Sequence, residues 1–260
     1  MIYENQTALI TGASSGIGAE FANQLASQGA NLVLVARRLD RLNAIAAELR
    51  AKYDRTVTVL DFDLTSSQAI EKLIFELRKR NLDIDILVNN AGFGSSGMFI
   101  EDDLQTDLKQ IDLNIKSLVT LTHAFLPEMV KRNLGMVVNL ASTAAFQPVP
   151  TMAVYGATKA FVLSFTEAVW AEVDGTAVKV IALCPGATET EFFEVAKSGG
   201  TGSKRETPQD VVSFALKEIS RSRVRPSIVS GSRNRLISNV PRFVSRSFMS
   251  KLSLKAMSGN

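Results

Sequence analysis

Cysteine and histidine are almost absent from this 260-residue chain, which has one of each, Cys184 and His123. A single thiol excludes an internal disulfide and suits a reducing compartment. The two residues cannot form a zinc-type ligand set, so no metal is expected, and no second histidine is available as a base. Long apolar runs are missing as well. Gly, Asn or Asp cuts each candidate within about ten residues, short of a membrane span. The start, MIYENQTALITG, has no basic stretch leading into an apolar core and a small-residue cleavage site. These absences lead to the expectation of a cytoplasmic protein. Acidic residues are missing from one region only. None follows Glu218, while Arg221, Arg223, Arg225, Arg233, Arg235, Arg242, Arg246, Lys251 and Lys255 all lie beyond it. The formal charge is +3, and removing the nine tail cations leaves −6 on the preceding residues. The basic pI therefore belongs to the tail and not to the body.

What is present is an apolar, patterned chain: 46% hydrophobic and 21% charged, a globular balance. Short apolar runs at Thr7–Thr11, Asn31–Ala36, Thr56–Asp61, Ile84–Val88, Met136–Leu140, Val178–Leu183 and Ser227–Val229 read as strands. Stretches of helical period separate them, including Arg38–Lys52, Leu104–Lys131 and Met152–Val173. Thr65-Ser66-Ser67 is placed to cap one helix, and Thr207-Pro208 to open another. Strands without polar alternation, joined by helices, predict a parallel sheet covered on both faces. The fold class is α/β: a single doubly wound Rossmann-type domain of about seven strands. It is expected over residues 1–230, followed by a basic, loosely amphipathic tail, 231–260. Lys197–Thr207 (KSGGTGSKRET) reads as a loop.

The first strand runs into Gly12, Ser14, Ser15, Gly16, Ile17 and Gly18, where the next helix begins. Glycines at a strand-to-helix turn let a pyrophosphate approach the backbone N–H groups and the helix dipole. The spacing lacks the Gly-Lys-Ser/Thr of a nucleoside-triphosphate loop. At the tip of the second strand an acidic residue would bind the ribose 2′-hydroxyl of NAD. The sequence has Arg37 and Arg38 there instead. Guanidinium forks match phosphate oxygens, so the expected cofactor is NADP(H). Of three tyrosines, only Tyr155 has a lysine four residues on, Lys159, on the same helical face. An ammonium beside a phenol lowers its pKa, which predicts a proton donor and acceptor for carbonyl/alcohol redox chemistry.

Thr11 to Gly18, Asp63-Leu64, Asn89 to Gly92, Asn114, Ser142, Tyr155-x-x-x-Lys159 and Pro185-Gly186 together resemble the short-chain dehydrogenase/reductase family, over about residues 5–230. The resemblance implies the following roles. Tyr155 would be the general acid, Lys159 would lower its pKa and hold the nicotinamide ribose, and Ser142 would bond the substrate oxygen. Asn114 would support a water and backbone relay behind Lys159. Asp63 and Leu64 would meet the adenine, and Asn90, Ala91 and Gly92 would line the cofactor cleft. Thr188, after Pro185 and Gly186, would meet the carboxamide. The pattern departs at Ser15, where many NADPH-using members carry a base, so the NADP(H) reading rests on Arg37 and Arg38. Phe93, Phe146, Pro148, Met152, Phe192 and Phe193 suggest an apolar substrate. The long helices imply a homodimer or homotetramer. The tail could lie on anionic membrane, cover the cleft or meet a partner subunit. The alternative is a non-catalytic dinucleotide-binding regulator on the same fold. No nucleic-acid recognition motif is present.

Overall fold

The computed structural model describes residues 2–196 and 205–257; residues 197–204 of the expected loop lie outside that range. Seven parallel strands form one sheet in the order β3-β2-β1-β4-β5-β6-β7. They are β1 (Thr7–Thr11), β2 (Asn31–Ala36), β3 (Val57–Asp61), β4 (Ile86–Asn89), β5 (Met136–Leu140), β6 (Lys179–Cys184) and β7 (Ser227–Val229). The chain winds outward from β1 to β3, then returns to place β4 on the other side of β1. That reversal opens a crevice at the carboxyl ends of β1 and β4.

The strands are apolar throughout because both faces are buried. From β1, Ala8 and Ile10 enter the layer under α1 (Gly16–Ser27), α2 (Leu39–Tyr53) and, near the far edge, α8 (Pro208–Ile219). Leu9 points the other way, to the layer under α3 (Ser67–Lys79) and α5 (Leu118–Arg132). Ser66 caps α3 by accepting from Ala69 N, and Thr207 caps α8 by accepting from Asp210 N. Gly29, with φ +102°, follows the end of α1.

The stretch expected as one helix from Leu104 is not uniform. It is α4 (Leu104–Ile111), a π-helical turn over Asp112–Ser117, and then α5. The wider turn carries Asn114, whose side chain leaves the helix to bond a neighbouring loop; such insertions recur at functional sites. Beyond β5, α6 (Ala153–Glu172) carries Tyr155 and Lys159 on its first turns, and α7 (Phe192–Val195) follows β6.

Part of the basic tail is folded back. Helix α9 (Ser232–Asn239) starts with Asn234 Nδ2 donating to Glu206 Oε2 at 2.9 Å and to Ser230 O at 3.0 Å. Helix α10 (Arg246–Met257) buries Met249 and Ser253. Leu236, Val240, Phe243, Phe248 and Leu252 remain exposed. No helix among the described residues is long and apolar enough to cross a membrane.

Candidate active site

The crevice is a cleft of about 910 Å³ running from the β1–α1 turn to α6 and α9. Its floor begins at Gly12 and Gly16, which have φ of +65° and +55°, a region only glycine enters without strain. Gly18 is not on the cleft wall. A Cβ there would lie 2.4 Å from Gly12 O, so Gly18 lets α1 close onto the turn. Ser15, at the N-cap of α1, makes no side-chain cap bond, and Ser15, Gly16 and Ile17 at the start of the helix line the cleft. Ser14, Ile17, Leu64, Ala91, Gly92, Pro185, Gly186 and Thr188 all line it. Asn90 fixes the opposite wall: its Nδ2 donates to Thr11 O at 2.9 Å and to Gly12 O at 3.2 Å. Thr11 Oγ1 accepts from the backbone N of both Asn90 and Ala91 at 3.0 Å.

Arg37 and Arg38 stand at the mouth but differ in environment. Arg37 is exposed, 4.0 Å from the Asp63 carboxylate. Asp63 also accepts from Thr65 N and Oγ1, at 3.1 and 2.9 Å. Arg38 folds inward, donating to Ser14 Oγ and Ser15 Oγ at 2.9 Å each. Its Nη1 pairs with Glu191 Oε2 at 2.7 Å, and the other Glu191 oxygen is taken by Arg41. These two guanidinium groups pull the Glu191 carboxyl down to about 2.

At the inner end, Tyr155 and Lys159 lie on one face of α6 beside Ser142. Lys159 is buried; its Nζ donates to Leu140 O at 2.6 Å and lies 5.8 Å from the centre of the Tyr155 ring. Asn114 sits behind the wall. Its Nδ2 donates to Phe93 O at 2.9 Å and Thr158 Oγ1 at 3.0 Å, and its Oδ1 accepts from Phe93 N at 3.1 Å. It therefore ties the loop after β4 to α6. Ser142 Oγ accepts from Ala144 N at 3.1 Å. Thr188 Oγ1 donates to Gly186 O at 3.1 Å.

The titration of the pair departs from the expectation of a lowered tyrosine pKa. Desolvation pushes the Tyr155 phenol up to about 12, with the Ser142 hydrogen bond acting in the opposite direction. Burial brings Lys159 down to about 8, partly offset by Cys184. For Tyr155 the cost of burying the phenolate outweighs the lowering inferred from the four-residue spacing.

Of the six apolar residues expected around a substrate, Phe93, Met152, Phe192 and Phe193 line the cleft. Phe192 packs on Tyr155 with ring centres 5.1 Å apart. Phe146 instead packs into the cluster of Leu118, Val162 and Cys184, and Pro148 is off the wall. The sequence reading did not include Asn234, Ile237 and Ser238 of α9, which close the substrate end, or Glu191 opposite Arg38. His123 is exposed on α5, away from the cleft. Among the described residues no group of His, Cys, Asp or Glu could hold a metal ion.

A glycine turn at the switch point of a doubly wound sheet, with a tyrosine–lysine pair at the far end of one cleft, defines a dinucleotide-binding oxidoreductase. The short chain dehydrogenase model matches residues 6–199, and the chain belongs to the short-chain dehydrogenase/reductase family. It is 36% identical over 220 residues to the NADP-dependent 3-hydroxy acid dehydrogenase YdfG of Escherichia coli, covering 82% of this chain and 86% of that one. A short-chain dehydrogenase from Sphingobium yanoikuyae in complex with NADPH superposes with a TM-score of 0.80 at 35% identity, covering 92% and 98% of the two chains. The bulky-bulky ketone specific alcohol dehydrogenase from Comamonas testosteroni does so with a TM-score of 0.78 at 32% identity, covering 92% of each. The family binds a nicotinamide dinucleotide. The residues present fit one: the cleft is continuous from the open N-terminus of α1 to Tyr155, and its turn is kept free of side chains by glycine.

Proposed function

We propose that the chain is an NADPH-dependent reductase of an uncharged, apolar ketone or aldehyde. The observation that carries the substrate reading is the distribution of charge in the cleft. Its cations among the described residues are Arg37 and Arg38 at the mouth and Lys159 beside Tyr155. The substrate end is lined by Phe93, Val149, Met152, Phe192, Val195 and Ile237; the Arg205 guanidinium stacks on the Phe193 ring, 4.4 Å from its centre, and is not itself part of the lining. NADPH is favoured because two arginines, and no carboxylate, follow β2.

Bound NADPH would supply the hydride. Tyr155, neutral well above physiological pH, holds the proton that the carbonyl oxygen needs as it becomes an alcohol oxygen. Ser142 offers a second hydrogen bond at the same oxygen, and Lys159 holds positive charge where negative charge develops. Asn114 acts as a positioning residue, fixing the Phe93 loop against α6. Gly12, Gly16, Ile17 and the Asn90–Gly92 segment would line the cofactor, with Asp63 and Leu64 at the adenine.

The exposed Leu104, Leu108 and Ile111 of α4, with Phe161 of α6, support assembly as a homodimer or homotetramer. The exposed apolar residues of α9 and α10, in a stretch that carries basic and no acidic residues, support contact of the tail with an anionic membrane surface. A panel pairing bulky aryl or alicyclic ketones with 3-oxo acids, followed by NADPH consumption, tests the substrate class. Faster turnover of the acids would overturn it.

A further inference from the structure

Of the two arginines that the sequence offers to a cofactor phosphate, Arg37 lies 4.0 Å from Asp63, whereas Arg38 is paired with Glu191 at 2.7 Å. Arg38 reaches it from the end of β2 and Arg41 from the first turn of α2, while Ser14 and Ser15 hold the Arg38 fork from the glycine turn. The arginines and the glutamate are far apart in sequence, so the contact joins two separate parts of the cleft. Glu191 also immediately precedes Phe192, whose ring packs on Tyr155. The same short segment, Thr190–Phe193, therefore touches the phosphate-binding turn at one end and the reacting tyrosine at the other. Thr190 lies directly over Gly16, where an added Cβ would come within 2.8 Å of its methyl group.

We propose that Glu191 is a built-in competitor for the cofactor's 2′-phosphate and links cofactor choice to the position of the substrate-covering segment. The inference rests on the NADPH reading above. A carboxylate and a phosphate ask the same of two guanidinium groups, and one fork cannot satisfy both fully. A dianionic 2′-phosphate takes over Arg38 and Arg41, and Glu191, left beside a like charge, moves out. The Thr190–Phe193 segment moves with it, changing the packing of Phe192 on Tyr155. A ligand with a free 2′-hydroxyl leaves the clasp closed. Glu191 thus weakens binding of the phosphorylated cofactor, and in exchange only that cofactor loosens the segment for substrate entry.

The test uses adenosine 2′,5′-bisphosphate and adenosine 5′-monophosphate, which lack the nicotinamide and so isolate the adenosine end. Calorimetric titration of the full chain and of Glu191→Gln gives affinities. Hydrogen exchange of residues 190–195 reports the segment independently of turnover. The expected result is that the bisphosphate binds Glu191→Gln about fivefold tighter than it binds the unsubstituted chain, the gain of removing one partly exposed competing carboxylate. The monophosphate binds both alike, and that also shows that the variant is folded. In the unsubstituted chain, the bisphosphate speeds exchange across 190–195 and the monophosphate does not. Weaker bisphosphate binding by Glu191→Gln, or equal shifts for both ligands, overturns the competitor role. Unchanged exchange on bisphosphate binding overturns the link to the segment. If the unsubstituted chain does not prefer the bisphosphate at all, both this inference and the NADPH reading fall; the other outcomes leave the NADPH reading standing.

Discussion

Replacing Lys159 with methionine is expected to stabilise the cofactor-free protein while removing its activity. Lys159 is 7% exposed, and burial brings its ammonium from 10.5 to about 8. At about 1.4 kcal/mol per pKa unit, keeping that group charged in the folded state costs roughly 3 kcal/mol at neutral pH. Against this, the substitution removes the hydrogen bond to Leu140 O and leaves that carbonyl unpaired, a loss of about 1–2 kcal/mol. The expected net gain is about 1–2 kcal/mol at pH 7. The pH dependence carries the sign. A lysine with a depressed folded pKa binds fewer protons folded than unfolded, so the unsubstituted chain gains stability as pH rises from about 8 towards 10.5. The advantage of Lys159→Met is therefore full below pH 8 and shrinks above it. Urea unfolding of both proteins between pH 6 and pH 10 measures this. A variant less stable than the unsubstituted chain at pH 7, or a difference that stays constant from pH 8 to pH 10, would refute the reasoning.

Arg37→Ala with Arg38→Ala should weaken NADPH binding by about ten- to a hundredfold, in line with losing charge-assisted bonds to phosphate, and barely change NADH binding; cofactor fluorescence distinguishes the two. Gly18→Ala should destabilise by about 1–3 kcal/mol, because the new Cβ would overlap Gly12 O and α1 would have to shift; thermal unfolding reads this, and an unchanged midpoint would contradict the packing argument. Full-length protein should sediment with vesicles containing phosphatidylserine and not with phosphatidylcholine alone, while Phe243→Glu with Leu236→Glu should stay in solution; equal recovery on both vesicle types would contradict the tail's role.

The strands were readable because a parallel sheet buried on both sides requires continuous apolar runs, and six of the seven lie within one residue of the expected bounds at both ends, with β4 within two. The glycine turn after β1 was readable because Gly12, Gly16 and Gly18 each answer to a local backbone demand. The π turn at Asp112–Ser117 was not, since apolar spacing in one long helix does not record a single wider turn. The Tyr155–Lys159 contact followed from helical spacing, but its titration did not, because desolvation depends on neighbours such as Phe192 that spacing leaves unplaced. Glu191 opposite Arg38 and Arg41 depends on a contact between distant segments. The tail was read as a basic extension that could cover the cleft, lie on a membrane or meet a partner subunit, and its composition did not single out Asn234 and Ile237 as the residues that line the cleft.

The central claim is that Tyr155 delivers the proton during NADPH-driven carbonyl reduction. It is tested most directly by following NADPH absorbance with a bulky apolar ketone for the unsubstituted chain and for Tyr155→Phe, with both first shown to bind NADPH equally. The account predicts a loss of at least about a hundredfold in kcat with unchanged cofactor affinity, as expected for removing a general acid. Tyr155→Phe turning over at a rate close to the unsubstituted chain would contradict it.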